Sequence, residues 1–387
     1  MGIIRILLAF SVLLGHSVFS GRLFPPGDVC VQLFFIISGF YMAMILNLKY
    51  KDHILPFFKN RILRLYPIYI VVVAAFLVAS STILPLLSNS SQTYDQSAVN
   101  FRLGRWNDIS EGVSSGTLSV LSAILLVFSN LSMQFQDLMM FLRLDQGNLV
   151  FGQYQDSQPP VYTFLYIPQA WSLSVELAFY LCAPLLVRHR NLTIAAFSVS
   201  FLLRAVLHLS GLNNDPFSYR FFPSELSVFM LGALSWHLYS TFKSQGLQAR
   251  AGTLLVGTVS VLVLWPEVFH LDDLQRYAFF VPFAFCIPYI FEKYKKNVFL
   301  NKIGEMSYPF YLVHALALLL ANNIVLRFTA KSRIEEAATV VLASVLSLIL
   351  SYVLIRFVQE RFEKMRRKAV AGFSNDSEKC SPTPPST

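Results

Sequence analysis

Two ionisable side chains stand out in the first apolar stretch of the chain, Arg5 near its start and His16 within it. Eleven residues separate them, which at 100° per residue is close to three full helical turns, so both project from one face. At about 1.5 Å per residue they lie roughly 16 Å apart, with Arg5 at a membrane edge and His16 near mid-bilayer. An ionisable group at that depth is costly and is a functional hypothesis by default. An imidazole there suits general-base chemistry near neutral pH.

The same stretch also suits a signal peptide or membrane anchor in which the histidine is only buried and hydrogen-bonded. One basic residue ahead of an apolar run is typical of a signal sequence. However, no small-x-small cleavage pattern follows, and the next apolar segment begins almost at once, at Val29. The sequence leaves the catalytic and the structural interpretations of His16 open.

A second basic pair, Arg61 and Arg64, lies in the stretch FFKNRILRLYPIY, residues 57–69. Three residues apart, they share a helix face at the inner membrane edge. Guanidinium groups bind phosphate well, and the inner face would meet phosphate as part of a nucleotide-bearing cofactor. The positive charge that commonly flanks membrane spans on the inner side is the alternative explanation.

A carboxylate, Glu176, lies about six residues into the apolar stretch AWSLSVELAFYLCAP, residues 170–184, roughly 9 Å below the outer membrane edge. A carboxylate at that depth costs several kcal/mol unless it is paired or protonated, so structure alone rarely keeps one. A hydrogen-bonded network of tryptophan and glutamate is the structural alternative. We therefore treat Glu176 as a candidate site residue.

Other polar groups also lie within apolar runs. His314 lies in GEMSYPFYLVHALA, residues 304–317, with Ser307 and Tyr308 nearer the inner edge. The pair Ser38-Gly39 favours close helix packing over catalysis, because small residues let helices approach. No metal-ligand spacing, nucleophile elbow or Gly-rich phosphate loop is present in the sequence, so we predict no metal site. The remaining polar groups of this kind are Arg204, His208, Arg220 and Glu225.

The composition indicates a membrane protein. Hydrophobic residues make up 55% of the 387 and charged residues only 14%, against roughly 25% charged in a soluble domain. The four cysteines are isolated, which argues against a disulfide framework or a thiolate metal site. The net charge of +9 comes from Lys and Arg clustered between apolar runs, as in the orientation of membrane spans, so nucleic acid is not a predicted partner.

The apolar segments predict an all-α integral membrane protein, a bundle of about ten transmembrane helices with both ends inside. An eleventh candidate, 118–142, is excluded by charge, because counting it as a span would put the later basic segments outside. The cost is that Arg327, Lys331 and Arg333 fall outside against the rule. The predicted spans are 6–22, 29–48, 66–87, 170–187, 191–210, 221–241, 252–269, 277–292, 306–327 and 335–357.

This count divides the chain into a membrane domain, 1–365, and a cytoplasmic tail, 366–387. Between the third and fourth spans, residues 88–168 form one long outward-facing excursion, in which 118–142 lies on or dips into the outer face. The tail is polar and contains Pro and Ser, so we expect it to be disordered.

Taken in order, these stretches resemble the acyltransferase-3 family of integral membrane O-acyltransferases. The resemblance runs from about Ile3 to Glu360 and is carried by Arg5 with ten residues before His16, then LFFIISGF, RILRLYPIY, WSLSVELAFYLCAP and GEMSYPFYLVHALA. Two departures are notable. Leu177-Ala178 stands where the family usually has an aromatic residue and Gln, and no SGNH-type domain follows the last predicted span.

The resemblance implies transfer of an acyl group, often acetyl from acetyl-CoA, onto a hydroxyl of a glycan, a lipid or a small glycosylated molecule. It also implies a bacterial cytoplasmic (inner) membrane, with membrane lipid, acyl-CoA and a glycan or glycolipid acceptor as partners. No cofactor is expected to be permanently bound, since acyl-CoA is a substrate. A transporter or exporter that uses buried His and Glu as a proton relay is the alternative, and a binding or sensory protein a third.

The family's motif residues fall on Arg5, His16, Arg61, Arg64 and Glu176. We expect the three arginines to hold the CoA phosphates. His16 would act as general base or carry the acyl group briefly, and the predicted catalytic residues are His16, Glu176 and Arg5. Glu176 would orient His16 or hold the acceptor from the outer face. The expected substrate-binding residues are Trp171, Ser172, Ser174, Arg220 and His314.

Overall fold

The computed structural model describes residues 1–17, 25–51, 53–79, 81, 106–242, 271–325 and 333–366. Several predictions fall outside these residues: the span 252–269, the start of the excursion at 88–105, and the tail from 367 onward. The predicted flanking charges Lys243, Arg250, Arg327 and Lys331 also lie outside them.

The described part of the chain contains eleven α-helices and one β-hairpin. The helices are α1 Gly2–Gly15, α2 Gly27–Leu48, α3 Ile54–Val78, α4 Trp106–Ser114, α5 Val120–Ser132, α6 Trp171–Leu186, α7 Arg190–Leu209, α8 Phe222–Phe242, α9 Tyr277–Tyr294, α10 Val298–Val325 and α11 Arg333–Leu354. After α11 the chain continues through a π-helical turn, Ile355–Gln359, into helix up to residue 366.

Five helical segments are long and apolar enough to cross a membrane: α2, α3, α7, α10 and Glu335–Arg366. Helices α6, α8 and α9 coincide with three more predicted spans without meeting the same test of length and composition. Helix α1 covers only the first part of the predicted span 6–22, because it ends at Gly15. The all-helical membrane architecture is thus confirmed in outline, and the count of ten spans stays a prediction.

The excursion contains the β-hairpin, which an all-α prediction did not include. Strands β1 Leu142–Asp145 and β2 Asn148–Phe151 pair antiparallel, with Asp145 opposite Asn148. The two turn residues, Gln146 and Gly147, both have positive φ, as a tight two-residue hairpin turn requires.

Helix α5 occupies the doubtful segment 118–142 and is only thirteen residues long. That is about 20 Å of helix, short of the roughly 30 Å hydrocarbon core. Its buried residues include Ser122, Ser129 and Asn130, whereas its exposed ones are apolar. This inverted pattern suits contact with lipid and supports the prediction that the segment lies on or dips into the membrane. The exposed apolar side chains are Val120, Leu121, Ile124, Leu125, Phe128 and Leu131.

Close backbone approach holds the central helices together. A Cβ on Gly39 of α2 would lie 1.9 Å from the Phe229 carbonyl oxygen of α8, and one on Gly232 of α8 would lie 1.9 Å from that of Ile36. Only glycine therefore fits at either position. In lipid, where the hydrophobic effect does not drive helices together, such contacts and interhelical hydrogen bonds supply the attraction. The prediction that Ser38-Gly39 serves packing is correct for Gly39.

A buried ion network joins α7 to α8 and reaches α2. Arg204 of α7 is 1% exposed and forms salt bridges with Glu225 of α8 (2.5 Å) and with Asp273. Gln32 of α2 donates to Glu225 at 2.9 Å. Pairing of this kind is what keeps a buried charge tolerable, so Arg204 and Glu225 have a structural explanation.

Candidate functional site

One cavity formed by the described residues, which we call the arginine cavity, has a volume of about 490 Å³. Helix α1 brings Arg5 to it, α3 brings Arg61 and Arg64, and α6 brings Glu176. Because Arg61 and Arg64 are three residues apart on α3, one face of that helix carries both, as the sequence predicted. The cavity also has in its lining Ser38, Tyr41, Ser172, Tyr180, Glu305 and Tyr308.

The guanidinium groups of Arg5, Arg61 and Arg64 have no carboxylate within salt-bridge distance among the described residues. The Nε atoms of Arg5 and Arg61 are buried without a hydrogen-bond partner. Arg61 instead lies over the rings of Phe57 (5.8 Å) and Tyr180 (5.9 Å). Aromatic faces stabilise a cation without neutralising it, so the cavity keeps positive charge available for an anion.

Glu176 is one of two carboxylates in the lining of this cavity, with Glu305, and its hydrogen bonds fix its position. It accepts from the Ser38 hydroxyl at 2.6 Å and from the Tyr180 hydroxyl at 2.5 Å. The structure thus places Glu176 with the arginines, and the expectation that it orients His16 is not met. Ser38, which the sequence assigned to helix packing, serves this carboxylate.

The second cavity, which we call the histidine cavity, has a volume of about 660 Å³. His16 is the residue that ends α1, and its side chain is exposed to this cavity. Its ring stacks on that of His314, with centroids 5.3 Å apart and planes at 18°. His314 is itself fully buried, and its Nδ1 bonds to the Tyr311 carbonyl oxygen at 2.5 Å. Since a carbonyl only accepts, Nδ1 carries the proton of His314.

Arg220 and Trp171 form one wall of the histidine cavity. The guanidinium lies 4.4 Å from the Trp171 ring centre and 4.7 Å from that of Tyr219, and it binds Asp215 at 2.6 Å. Burial opposes the charge of Arg220, but Tyr219 and Asp215 outweigh it and hold the pKa of Arg220 above its ordinary value. Tyr154 donates to Asp215 at 3.0 Å, and burial, with Asp215 beside it, raises the pKa of Tyr154 to about 12.

The two cavities meet at Val31 and Tyr311, which line both. Helix α1 therefore carries Arg5 to one cavity and His16 to the other. The eleven-residue spacing of Arg5 and His16 in the sequence therefore puts them in two adjoining cavities.

The predicted substrate-binding residues fall in different places. Trp171 and Arg220 line the histidine cavity, and Ser172 lines the arginine cavity. Ser174 lines neither, because its hydroxyl is buried and donates to Asp137 at 2.6 Å. His314 lines neither cavity, and its ring stacks on the ring of His16.

Two residues of the site were missed from the sequence. Tyr311 lies one helical turn before His314, so a helix-face argument within GEMSYPFYLVHALA would have found it. Asp215 lies in a polar connection between α7 and α8, where an aspartate is unremarkable. Its partnership with Arg220 could not be inferred from sequence alone.

A comparison with known protein families bears on the identity of the chain that forms these two cavities. The profile described as "Acyltransferase domain" (Acyl_transf_3) matches residues 1–356. The chain belongs to the acyltransferase-3 family. This acyltransferase is also similar to a protein of Aquifex aeolicus (strain VF5) named only as uncharacterized, with 24% identity over 208 residues, 52% of this chain and 89% of the relative. No solved structure matches it.

Proposed function

We propose that this acyltransferase moves an acyl group from acyl-CoA, held in the arginine cavity, to a hydroxyl of a glycan or glycosylated acceptor in the histidine cavity. The observation that carries the proposal is the division of labour along α1. One helix presents an unpaired arginine to the first cavity and an exposed histidine to the second, and the two cavities share a wall.

The donor assignment rests on charge. Coenzyme A carries several negative charges on its phosphates, and the arginine cavity gathers three guanidiniums without salt-bridge partners in the described part of the chain. Planar guanidinium groups match phosphate oxygens in geometry as well as charge. The cytoplasm supplies acyl-CoA, and Arg61 and Arg64 follow the second predicted span, which the positive-inside pattern puts at the inner face.

The acceptor assignment rests on the mixture of aromatic and polar groups in the histidine cavity. Trp171, Tyr162 and Tyr219 offer ring faces or edges, and Asp28 and Asp215 offer carboxylate acceptors. Sugar rings combine apolar faces with hydroxyl donors, and such a lining complements both. The cavity walls from residues 140–162 belong to the predicted outward-facing excursion, so we place the acceptor on the outer side.

The transfer itself needs one proton acceptor near the reacting hydroxyl, and His16 is the exposed base in that cavity. The imidazole takes the hydroxyl proton while the oxygen forms its bond to the thioester carbonyl carbon. The carbon–sulfur bond then breaks, and the departing CoA thiolate receives the proton from the imidazolium. The products are the acyl ester and free CoA, so no further reactant is needed.

The proposal has three further parts. The transferred group is acetyl, the chain spans the membrane ten times with both ends inside, and the membrane is the bacterial cytoplasmic membrane. The family, the predicted positive-inside charge pattern and the five long apolar helices support them.

The experiment is transfer of label from acetyl-CoA by purified protein mixed with envelopes of source cells that lack the gene. No ion gradient is applied. We expect labelled ester in the envelope fraction and one CoA thiol released for each label transferred. Label movement that requires a gradient, or that releases no CoA thiol, would favour a transporter and contradict the proposal.

A further inference from the structure

Tyr311 lies where the two cavities of the proposed function adjoin. Its ring is one of two side chains, with Val31, that line both cavities. Residues Arg5 and Glu176 lie on one side of it, and His16 lies on the other. In the proposed function the acyl group has to cross from the arginine cavity to the acceptor at His16, and Val31 and Tyr311 are the two side chains in the wall that these cavities share.

The ring of Tyr311 is held in place from several directions. Its hydroxyl donates to the Gln169 carbonyl oxygen at 2.9 Å and lies 2.8 Å from the Ser172 hydroxyl. Phe34 contacts the ring edge-on at 6.5 Å, and His314 lies 5.6 Å away on the side of His16. Only 7% of the residue is exposed, so the Tyr311 side chain is held firmly in the wall between the two cavities.

We infer that Tyr311 is the residue that limits the length of the transferred acyl group. This inference rests on the proposed function, because it concerns the path between its two cavities. A two-carbon acyl group has only a methyl group behind its carbonyl carbon, so little of it has to fit beside the ring. A longer chain must either remain in the arginine cavity, which keeps its carbonyl from His16, or push the ring from its hydrogen bonds.

The first test compares kcat/KM for acetyl-CoA and octanoyl-CoA in Tyr311→Ala, using purified protein and envelopes that lack the native gene. Each methylene that a pocket excludes or admits is worth roughly tenfold or more, so we expect the octanoyl-to-acetyl ratio to rise at least about tenfold. Tyr311→Phe keeps the ring and should keep the wild-type preference for acetyl.

Val31→Ala shortens the other side chain that lines both cavities and provides a milder second variant. It should raise the octanoyl-to-acetyl ratio in the same direction even if Tyr311→Ala does not fold. Tyr277→Phe is the matched control, since Tyr277 pairs with Ser227 at 2.5 Å as Tyr311 pairs with Ser172, but it lines neither cavity. We expect this control to leave both kcat/KM values unchanged.

The outcomes separate the two proposals. Suppose that the wild type transfers acetyl, and that the octanoyl-to-acetyl ratio is unchanged in Val31→Ala and in any folded Tyr311→Ala. This result would overturn the inference that Tyr311 limits acyl length and would leave the proposed acyl transfer intact. A wild-type protein that transfers no acyl group would overturn the proposed function, and with it the inference that Tyr311 limits acyl length. A raised ratio in Tyr277→Phe would also overturn the assignment to Tyr311.

Discussion

The two cavities of this acyltransferase differ most in how their charges are balanced. In the arginine cavity, three guanidiniums have no salt bridge within the described residues, and Arg61 is held by aromatic rings. In the histidine cavity, Arg220 is paired with Asp215 and Asp28 is paired with Arg276. An unneutralised cluster favours an anion that comes and goes, whereas paired charges favour hydrogen bonding to an uncharged ligand.

That comparison explains why each cavity needs the other. A phosphate-bearing donor is bound by charge, and binding alone does no chemistry. An acceptor hydroxyl is oriented by hydrogen bonds but needs a base, the role that we propose for the exposed His16. The following substitutions break one side of the comparison at a time, beginning with the largest expected effect.

The largest effect is expected from His16→Ala. A general base contributes about 10²- to 10⁴-fold, and a covalent carrier contributes more, so turnover should fall to about one per cent or below. The measurement is kcat for acetyl transfer, with His208→Ala, which lines neither cavity, as control. Near-normal turnover in His16→Ala would move the catalytic role to another residue of the site.

The second effect is on the donor side. Arg61→Ala and Arg64→Ala should each raise the KM for acetyl-CoA by about ten- to a hundredfold, the worth of one charge-assisted phosphate contact. Arg190→Ala removes an exposed arginine at the start of α7 that lines neither cavity, and it should leave this KM unchanged. Equal losses of inserted protein in all three variants, with normal KM, would mean that these arginines only set orientation.

The third effect is on the acceptor side and is smaller, because the partner is a neutral hydroxyl. Asp215→Asn weakens both the pairing with Arg220 and the hydrogen bonds offered to the acceptor. We expect the acceptor KM to rise about tenfold while the acetyl-CoA KM stays constant. Asp145→Asn, an exposed carboxylate of the hairpin, is the control. A change in the acetyl-CoA KM alone would contradict the division between the cavities.

The smallest kinetic effect is expected from Ser174→Ala, which should leave both KM values unchanged. Burial raises the pKa of Asp137, and the Ser174 hydroxyl partly offsets this by stabilising the ionised carboxylate. Its loss should cost about 1.5–3 kcal/mol when Asp137 is ionised and less when it is protonated. Thermal unfolding of the variant should therefore show a deficit that grows from acidic to neutral pH. A raised acceptor KM would restore Ser174 to the binding site.

The sequence predicted much of this site because charge inside an apolar run is conspicuous. Arg5, His16, Arg61 and Glu176 stood out for that reason, and helical periodicity placed Arg61 beside Arg64. What it could not supply was the assignment of residues to cavities. Glu176 was expected to orient His16 or to hold the acceptor from the outer face, and the structure has Ser38 and Tyr180 holding it on the arginine side. Such partners come from other helices, and local spacing carries no information about them.

The hairpin and the short helix α5 illustrate the same limit from the fold. The turn at Gln146-Gly147 joins strands of only four residues, too short for alternation to be recognised. Charge argued against a span at 118–142, but composition alone did not show where helix ends and irregular structure begins. One contact of this kind is made by Ser122, whose hydroxyl accepts a hydrogen bond from the Leu149 amide and so joins α5 to the hairpin.

The most direct test of the two-cavity account is equilibrium binding of CoA to purified His16→Ala and to Arg61→Ala/Arg64→Ala. The account predicts that His16→Ala binds CoA as the wild type does, although it transfers nothing. It predicts that the double arginine variant binds at least about tenfold more weakly. Loss of CoA binding in His16→Ala, or wild-type binding in the double arginine variant, would contradict the claim that donor and base occupy separate chambers.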